Sequence, residues 1–352
     1  MAVVDLTTKW LGLTLRSPLV VGACPLTDEL ESLEACVRGG AGAVVMRSIF
    51  EEQVTAEQMA IHHYLDTLAD TGAEGRTFVP PSSVFELGIT PYLRVLKRLR
   101  DGLDVPVLAS LNGTTPGGWL EMARALEEGG ASALELNLYE VATEVDVPGA
   151  EIEARQLQVV RAVTGAVRIP VSVKLSPFYS SLPAFAAAVF DAGAAGVVLF
   201  NRFYQPDVDL EALDLNSRVR LSTHSELPLR LHALAILSGR SPLELAASGG
   251  AQTGDDVTKA ILCGAHVVQV VSALLRHGPH RMAGIHDELV SRLARLGYPT
   301  VDEARGVLSL DRTSDPSVWE RLQYMRLLGA WRPRPNAAAQ IERPPVIGRA
   351  RP

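Results

Sequence analysis

The chain has 352 residues, of which 47% are hydrophobic, 21% charged and 5% aromatic, and its formal net charge at pH 7 is -7. This composition supports a large apolar core and argues against intrinsic disorder. The length fits one α/β barrel of ~250 residues with extensions, or two average domains. Lysine and arginine are scattered and form no basic stripe, so we expect no nucleic-acid partner.

The N-terminal residues lack the apolar core and the cleavage site of a signal peptide. The most apolar window, Pro183 to Phe200, is interrupted by Asp191, Gly193 and Gly196. This pattern predicts a helix, a turn and a strand rather than a membrane span. We therefore expect a cytoplasmic protein without a membrane partner.

The three cysteines, Cys24, Cys36 and Cys263, are odd in number and far apart in the chain. Their spacing supplies neither a disulfide framework nor a metal or cluster site. Cys36 and Cys263 are expected to be small buried hydrophobic residues.

A glycine-alanine pair recurs four times, beginning at Gly40, Gly130, Gly193 and Gly264. Each pair follows an amphipathic helical stretch and precedes a run of apolar, mostly β-branched residues, which is typical of a helix that ends on a left-handed glycine before a strand. The intervals are roughly two βα units long, so the pairs mark strands 2, 4, 6 and 8.

The odd-numbered strands fall between these pairs, at Leu19 to Val21, Val105 to Ser110, Ile169 to Leu175 and Leu243 to Ala247. Eight alternating βα units with continuously apolar strands favour a closed parallel (β/α)8 TIM barrel covered by helices. An open doubly wound sheet is the alternative fold.

Extensions flank the predicted barrel. We expect an N-terminal hairpin over Val4 to Leu15 that plugs the bottom of the barrel, and C-terminal helices over Pro279 to Leu296 and Val318 to Leu328. A single domain then covers residues 1–331. Residues 332–352, rich in proline and arginine, form a flexible tail.

Two loops are longer than a barrel requires. The loop after strand 2 runs from Phe50 to Pro91 and contains a helical pattern over Glu51 to Leu68; the loop after strand 6 runs from Asn201 to about Glu226. Long loops at the catalytic face of a barrel often act as lids. An oligomer-forming insertion is the alternative.

All strand ends of such a barrel meet on one face, so residues far apart in sequence converge there. Strands 7 and 8 end in small residues directly before helix starts, which suits a phosphate group. The predicted strand-end residues are Gly22-Ala23-Cys24, Arg47-Ser48, Asn112, Asn137, Lys174, Asn201-Arg202, Gly249-Gly250 and Ser272-Ala273.

Lys174 ends an otherwise apolar strand, so its ammonium group is expected at the mouth of the barrel. There it binds an electron-rich ligand atom, acts as an amine nucleophile, or forms an internal ion pair with Glu135 or Asp104. Asn137 and Asn201 end the two flanking strands, and their amides suit a planar heterocycle with N–H and C=O edges.

These residues resemble the dihydroorotate dehydrogenases over most of the chain, from about Leu11 to Leu296. The resemblance implies a soluble, FMN-binding α/β barrel that oxidises dihydroorotate to orotate. It implies that Lys174 lies against the pyrimidine edge of the flavin, and that Asn137 and Asn201 hold the substrate. The residues that it implies in FMN binding are Ala23, Ser48, Asn137, Lys174, Gly249, Gly250, Ser272 and Ala273.

The sequence departs from this family where its catalytic base is expected. Three residues after Asn137 the soluble enzymes carry a cysteine, but this chain has Glu140. Arg202 follows Asn201 in place of the family's serine. It is a candidate ligand for a substrate carboxylate, and an ion pair within the loop is the alternative. These changes resemble a divergent dihydroorotate dehydrogenase-like branch and argue against ordinary dihydroorotate chemistry.

We therefore predict an FMN-dependent oxidoreductase acting on CH–CH bonds, which moves a hydride from a small planar or carboxylated substrate to FMN. Its catalytic residues are Glu140 as the base, Tyr139 as a second candidate base, and Lys174. A homodimer and a separate redox subunit are the expected partners. The alternatives are a flavin-binding subunit without the ancestral activity and a Schiff-base lyase that uses Lys174.

Overall fold

The computed structural model describes residues 4–50, 89–112, 116–202, 207–216 and 220–330. The chain divides into two compact units, one ending at Thr313 and the other beginning at Ser314. The boundary between a domain over 1–331 and a tail over 332–352 stays a prediction, because residues 331–352 lie outside the described residues. None of the described helices is both long enough and apolar enough to cross a bilayer.

The first unit is built on a closed barrel of eight parallel strands, as predicted, so the alternative of an open sheet is wrong. The chain begins with a hairpin of β1 (Thr8–Trp10) and β2 (Leu13–Leu15). The barrel strands are β3 (Leu19–Val21), β4 (Ala43–Phe50), β5 (Val107–Asn112), β6 (Ala133–Asn137), β7 (Val171–Leu175), β8 (Gly196–Leu199), β11 (Glu244–Ser248) and β12 (Val267–Val270). Strand β12 pairs with β3, and β11 pairs with β8, which closes the ring.

Helices cover the outside of the barrel between successive strands. In chain order they are α1 (Leu30–Arg38), α2 (Thr90–Gly102), α3 (Pro116–Glu128), α4 (Gly149–Ala166), α5 (Leu182–Asp191), α6 (Leu227–Leu237), α7 (Gly254–Leu262), α8 (Ser272–His277), α9 (Arg281–Leu296) and α10 (Val301–Ala304). The predicted helix over Pro279 to Leu296 is confirmed as α9.

The sequence explains the alternation of helix and strand. Gly40, Gly130, Gly193 and Gly264 have φ angles of 99°, 91°, 95° and 119° and lie between a helix and the next strand. A left-handed residue ends a helix, and glycine adopts that conformation without a steric penalty. Strands β6 and β7 are buried along their whole length, as expected for parallel strands with helices on one side and a filled barrel on the other.

The N-terminal hairpin closes one end of the barrel, as predicted. Trp10, Leu11 and Leu15 are buried and form one apolar cluster with residues of the barrel strands, including Ala43 and Val267. These are the N-terminal residues of β4 and β12, so the plug lies at the end opposite the strand C-termini. The mouth at the C-terminal ends is therefore the face that carries the site.

The two long loops are described to different extents. The predicted helix over Glu51 to Leu68 and most of its loop lie outside the described residues. The loop after β8 contains an antiparallel hairpin of β9 (Asp207–Asp209) and β10 (Asp214–Asn216). Its large apolar side chains are exposed: Val208, Leu210, Leu213 and Leu215.

The described part of the second unit contains a 3-10 helix, Pro316–Trp319, followed by the helix α11 (Leu322–Ala330). The predicted helix over Val318 to Leu328 is confirmed from Leu322 onward, but it begins four residues later than predicted. Glu320 is extended, with φ -109° and ψ -171°, and separates the two elements. Asp315 caps the first of them by accepting a hydrogen bond from the Ser317 N–H at 3.2 Å.

Candidate active site

Asn137 forms a polar cluster with two serines at the mouth of the barrel. Its Nδ2 donates to Ser48 Oγ at 3.0 Å and to Ser110 Oγ at 2.9 Å, and the two hydroxyl oxygens lie 2.7 Å apart. Ser48 and Asn137 were both predicted as site residues, and the fold brings them together. Ser110 was missed, although it is a buried polar residue in the otherwise apolar first part of β5.

Lys174 belongs to a second, more deeply buried cluster. Its Nζ lies 3.1 Å from Glu135 Oε1 and donates to Gln269 Oε1 at 3.2 Å. The Gln269 amide in turn donates to the other oxygen of Glu135, which closes a ring of three side chains. The ion pair with Glu135 was one of the predicted alternatives; the pair with Asp104 is wrong, since Asp104 pairs with Arg16.

This ring of three side chains, the Lys174 triad, spans the interior of the barrel. Strands β6 and β12 are four strands apart in both directions around the ring, so Glu135 and Gln269 meet across the barrel. Cys24 is nearby, since Lys174 acts on its thiol electrostatically. Burial raises the pKa of the Cys24 thiol to about 11, so it is protonated at neutral pH.

Two glycines and two hydroxyl groups come together at the ends of β11 and β12. We call this group, Gly249, Gly250, Ser222 and Ser272, the cradle. Gly249 and Gly250 have φ angles of 92° and 91°, and a Cβ on Gly250 would lie 2.6 Å from the Leu227 nitrogen. The Ser222 hydroxyl accepts from the Gly250 N–H at 3.3 Å and lies 2.7 Å from Ser272 Oγ. The predicted residues Gly250 and Ser272 are thus joined through Ser222, which the sequence did not identify.

Two arginines support this cradle. Arg276 donates to the Ser222 carbonyl at 3.2 Å. Arg230 is buried and donates to the Ser248 carbonyl at 3.0 Å, and a Cβ on Gly249 would lie 3.0 Å from its Nη2. Burial lowers the pKa of Arg230, and the charge of Glu226 opposes this shift. Neither arginine was recognised from the sequence, because neither lies at a strand end.

The helix starts behind the cradle are close to those predicted. Helix α7 begins after Thr253, whose hydroxyl accepts from the Asp256 N–H, while the Asp256 carboxylate accepts from the Thr253 N–H at 3.1 Å. This reciprocal capping box fixes the start of the helix. Helix α8 begins at Ser272 and is six residues long. Ala273, predicted to contact FMN, is fully buried in it.

The predicted base Glu140 faces helix α4. Arg155 Nη2 donates to its carboxylate at 2.7 Å and Gln156 Nε2 donates at 3.4 Å. Gln156 also accepts from the Tyr179 hydroxyl at 3.0 Å. The pKa of Tyr179 is raised, first by burial and then by the nearby carboxylates of Glu153 and Glu140.

A cavity of about 580 Å³ connects Glu140 with Asn137. One wall is the end of β6 and the following residues, and the other wall comes from α3 and α4. The lining residues are Trp119, Asn137, Leu138, Tyr139, Glu140, Arg155, Gln156, Gln158, Val159 and Ala162. The three predicted residues Asn137, Tyr139 and Glu140 thus share one cavity.

The remaining predicted residues follow β3 and β8. Ala23 packs against the apolar cluster of the barrel. The Asn201 N–H donates to the Leu175 carbonyl at 2.8 Å, which holds it beside the end of β7. Arg202 Nη2 lies 3.4 Å from Glu226, so the ion pair within the loop, one of the predicted alternatives for Arg202, is present.

The sequence profile of the dihydroorotate dehydrogenase family matches residues 5–293. The chain belongs to this family. A protein of Aeropyrum pernix, assigned by its name to dihydroorotate dehydrogenase A (fumarate), is 34% identical over 221 residues, which cover 60% of this chain and 71% of that protein. A Methanosarcina mazei protein named dihydroorotate dehydrogenase B (NAD(+)), catalytic subunit, is 28% identical over 308 residues, which cover 84% and 93%.

As a class 1-like dihydroorotate dehydrogenase family member, the chain is an oxidoreductase of the type that acts on CH–CH bonds, and its cofactor is FMN. The residues of the cradle fit the phosphate of FMN, because glycine backbone and two hydroxyl groups converge there. Family membership favours this chemistry over a Schiff-base lyase. In addition, the Lys174 amine, which such a lyase needs as its nucleophile, is held in an ion pair with Glu135.

Proposed function

We propose that this protein is an FMN-dependent dehydrogenase that takes a hydride from a small planar or carboxylated substrate other than dihydroorotate. The observation that carries this proposal is the cavity that joins Asn137 to Glu140. In the sequence, Glu140 stands three residues after Asn137, where the soluble enzymes have a cysteine base. A substrate that reacts here meets a different proton acceptor and a differently shaped pocket from those of ordinary dihydroorotate chemistry.

We assign the phosphate of FMN to Gly249, Gly250, Ser272 and Ala273. Backbone N–H groups and a hydroxyl bind its charge, and the cradle geometry supports this assignment. We assign the ring to Ala23, Ser48, Asn137 and Lys174. Bound FMN supplies the hydride acceptor.

Glu140 is the proposed base. The Arg155 guanidinium and the Gln156 amide orient its carboxylate, and general-base catalysis requires this kind of fixed geometry. Tyr139 lines the same cavity and is the second candidate. Asn201 and Arg202 are the proposed substrate ligands; a carboxylate on the substrate would compete with Glu226 for Arg202.

An absorption spectrum of the purified protein tests this function directly. We expect a yellow protein whose flavin bands persist when dihydroorotate is added without oxygen and bleach with a substrate found by screening CH–CH compounds. Bleaching by dihydroorotate would refute the substrate proposal. A colourless protein that takes up no added FMN would refute the flavin site.

A second candidate function is that of a flavin-binding subunit in a larger redox assembly, without the ancestral activity. A partner subunit is supported by the names of the Methanosarcina mazei and Methanothermobacter thermautotrophicus relatives, which both describe the catalytic subunit of an assembly. The loss of the ancestral activity is supported by Glu140, which stands where the soluble enzymes have a cysteine base. A partner would carry the further redox cofactor. Co-purification of a second protein, with no substrate that bleaches the flavin, supports this candidate. The homodimer and the cytoplasmic location stay predictions.

A further inference from the structure

The Lys174 triad combines two opposite charges with one amide in a nearly dry environment. Lys174, Glu135 and Gln269 are all buried. Glu135 accepts from both of the others, and Gln269 both donates to Glu135 and accepts from Lys174. In the part of the chain that the structure describes, the hydrogen bonds of the carboxylate are made within the triad. In such surroundings the interaction between charges is much stronger than in water.

Lys174 enters the triad from the side of the mouth. Its Cα partner on β6 is Asn137, whereas Glu135 pairs with Ser172, so Lys174 is two residues nearer to the strand ends than Glu135. Two residues of a strand correspond to about 7 Å. The positive charge is thus attached near the mouth, and the negative charge is attached deeper in the barrel.

In the binding mode of the proposed function, on which this inference rests, the triad lies below the bound flavin. The phosphate cradle is formed at β11 and β12, and Asn137 is at the end of β6, on the opposite side of the ring. A flavin bound at both places crosses the mouth above the triad. Gly22 borders the triad, since a Cβ on it would lie 3.3 Å from Gln269 Oε1.

We propose that Glu135 is a positioning residue that sets the reduction potential of the bound FMN through Lys174. Electrons added to the flavin ring are stabilised by a neighbouring positive charge. The Glu135 carboxylate offsets part of that charge and, with Gln269, fixes where the ammonium group lies. The triad therefore holds the potential below the value that an unpaired lysine would give.

The test is the midpoint potential of the bound flavin, measured by chemical reduction against a reference dye. Glu135→Gln keeps the shape of the side chain and removes its charge. We expect the potential to rise, with at least a tenfold change in the ratio of reduced to oxidised flavin at a fixed potential, about 30 mV for a two-electron couple. Glu244→Gln is the matched control: it makes the same change at the plugged end, where Glu244 accepts from the Leu11 N–H.

A second comparison removes the charge of Glu135 from a background without the lysine. Lys174→Gln should lower the potential. Because Glu135 acts through Lys174, the double variant Lys174→Gln/Glu135→Gln should have the same potential as Lys174→Gln. This pair carries the test if Glu135→Gln alone does not fold or hold FMN.

The proposal is overturned if Glu135→Gln leaves the potential where Glu244→Gln leaves it or lowers it, if Lys174→Gln does not lower the potential, or if the double variant differs from Lys174→Gln. Chemical reduction needs no substrate. A protein that binds FMN and shows the expected shifts, but oxidises no CH–CH compound, would thus refute the dehydrogenase function alone.

Discussion

Asn137 and Lys174 are register partners on neighbouring strands, yet their side chains end in two separate polar clusters. Asn137 donates to serines of β4 and β5, whereas Lys174 contacts Glu135 and Gln269 inside the barrel. One strand pair therefore supplies an amide at the rim of the mouth and a charge at its floor. Because the two side chains contact different residues, we expect that each cluster can be altered separately.

Removing the Ser110 hydroxyl is expected to weaken FMN binding. Ser110→Ala deletes one acceptor of the Asn137 amide, at 2.9 Å, and a buried hydrogen bond contributes roughly 1 kcal/mol, or about a fivefold change in Kd. Fluorescence titration of FMN into the apoprotein measures this change in Kd. Ser172→Ala is the matched control, since that buried hydroxyl donates to the Leu134 carbonyl outside the cluster. Equal affinities for the two variants would contradict the role of Asn137.

A methyl group on Gly250 should damage the cradle. Gly250→Ala combines a φ of 91° with a Cβ 2.6 Å from the Leu227 nitrogen, so the backbone must move. We expect loss of FMN binding and destabilisation by roughly 1–3 kcal/mol. Gly278→Ala has a similar φ of 81° but no atom within 4 Å of its Cβ, so it isolates the cost of the left-handed conformation. Thermal unfolding without FMN and FMN titration separate the two effects, and equal FMN affinities would show that the cradle tolerates a side chain.

Glu140→Gln should slow flavin reduction without changing FMN affinity. If Glu140 is the base, its loss lowers the rate by about 10²–10⁴. Anaerobic stopped-flow measurement of flavin bleaching, with whichever substrate reduces the wild-type protein, gives this rate. Glu151→Gln removes the other carboxylate near Arg155, at 3.5 Å, and should leave the rate unchanged. A Glu140→Gln protein that reacts at the wild-type rate would exclude Glu140 as the base and leave Tyr139 as the candidate.

His266 is expected to make the fold sensitive to acid. Its Nδ1 accepts from the Leu245 N–H at 3.0 Å, and burial lowers its pKa to about 4 from the ordinary value of 6.5. Between these values the unfolded chain takes up a proton that the folded chain does not. The contribution of His266 to the free energy of unfolding is thus fully present above pH 6.5. It falls by up to about 3 kcal/mol as the pH drops through 4.

Urea unfolding at pH 7.5 and pH 4.5 measures this loss. His266→Asn supplies an oxygen acceptor that does not titrate in this range, and it should reduce the difference between the two pH values. His277→Asn replaces an exposed histidine and should leave the difference unchanged. An undiminished pH dependence in His266→Asn would rule out this histidine as its source.

The barrel was predictable because its signals are local. Each glycine-alanine pair states where a helix stops and a strand starts, and the resulting strand ends locate Ser48, Asn137, Gly250 and Ser272. The partners of these residues were not predictable in the same way. Ser110, Ser222 and Gln269 acquire their roles only when strands or loops that are distant in sequence come together on closure of the barrel.

Two further features, a buried arginine and a helix break, could not be predicted from the local sequence pattern. Arg230 is in the second turn of a helix, where nothing in the sequence distinguishes it from a surface arginine, yet it is buried against the Ser248 carbonyl. Glu320 breaks the last predicted helix, although its apolar neighbours continue the helical period. In both cases tertiary or backbone context overrides the local pattern.

The N-terminal hairpin has a consequence for how the chain is made. Trp10 and Leu11 leave the ribosome before the barrel strands, yet their apolar cluster includes Val198, Ala246 and Val267. Contacts of such long sequence separation form slowly, and until they form the hairpin exposes its tryptophan and leucines. The nascent chain should therefore be vulnerable to aggregation until β12 is synthesised, and co-translational folding should show a late, cooperative step when that strand emerges.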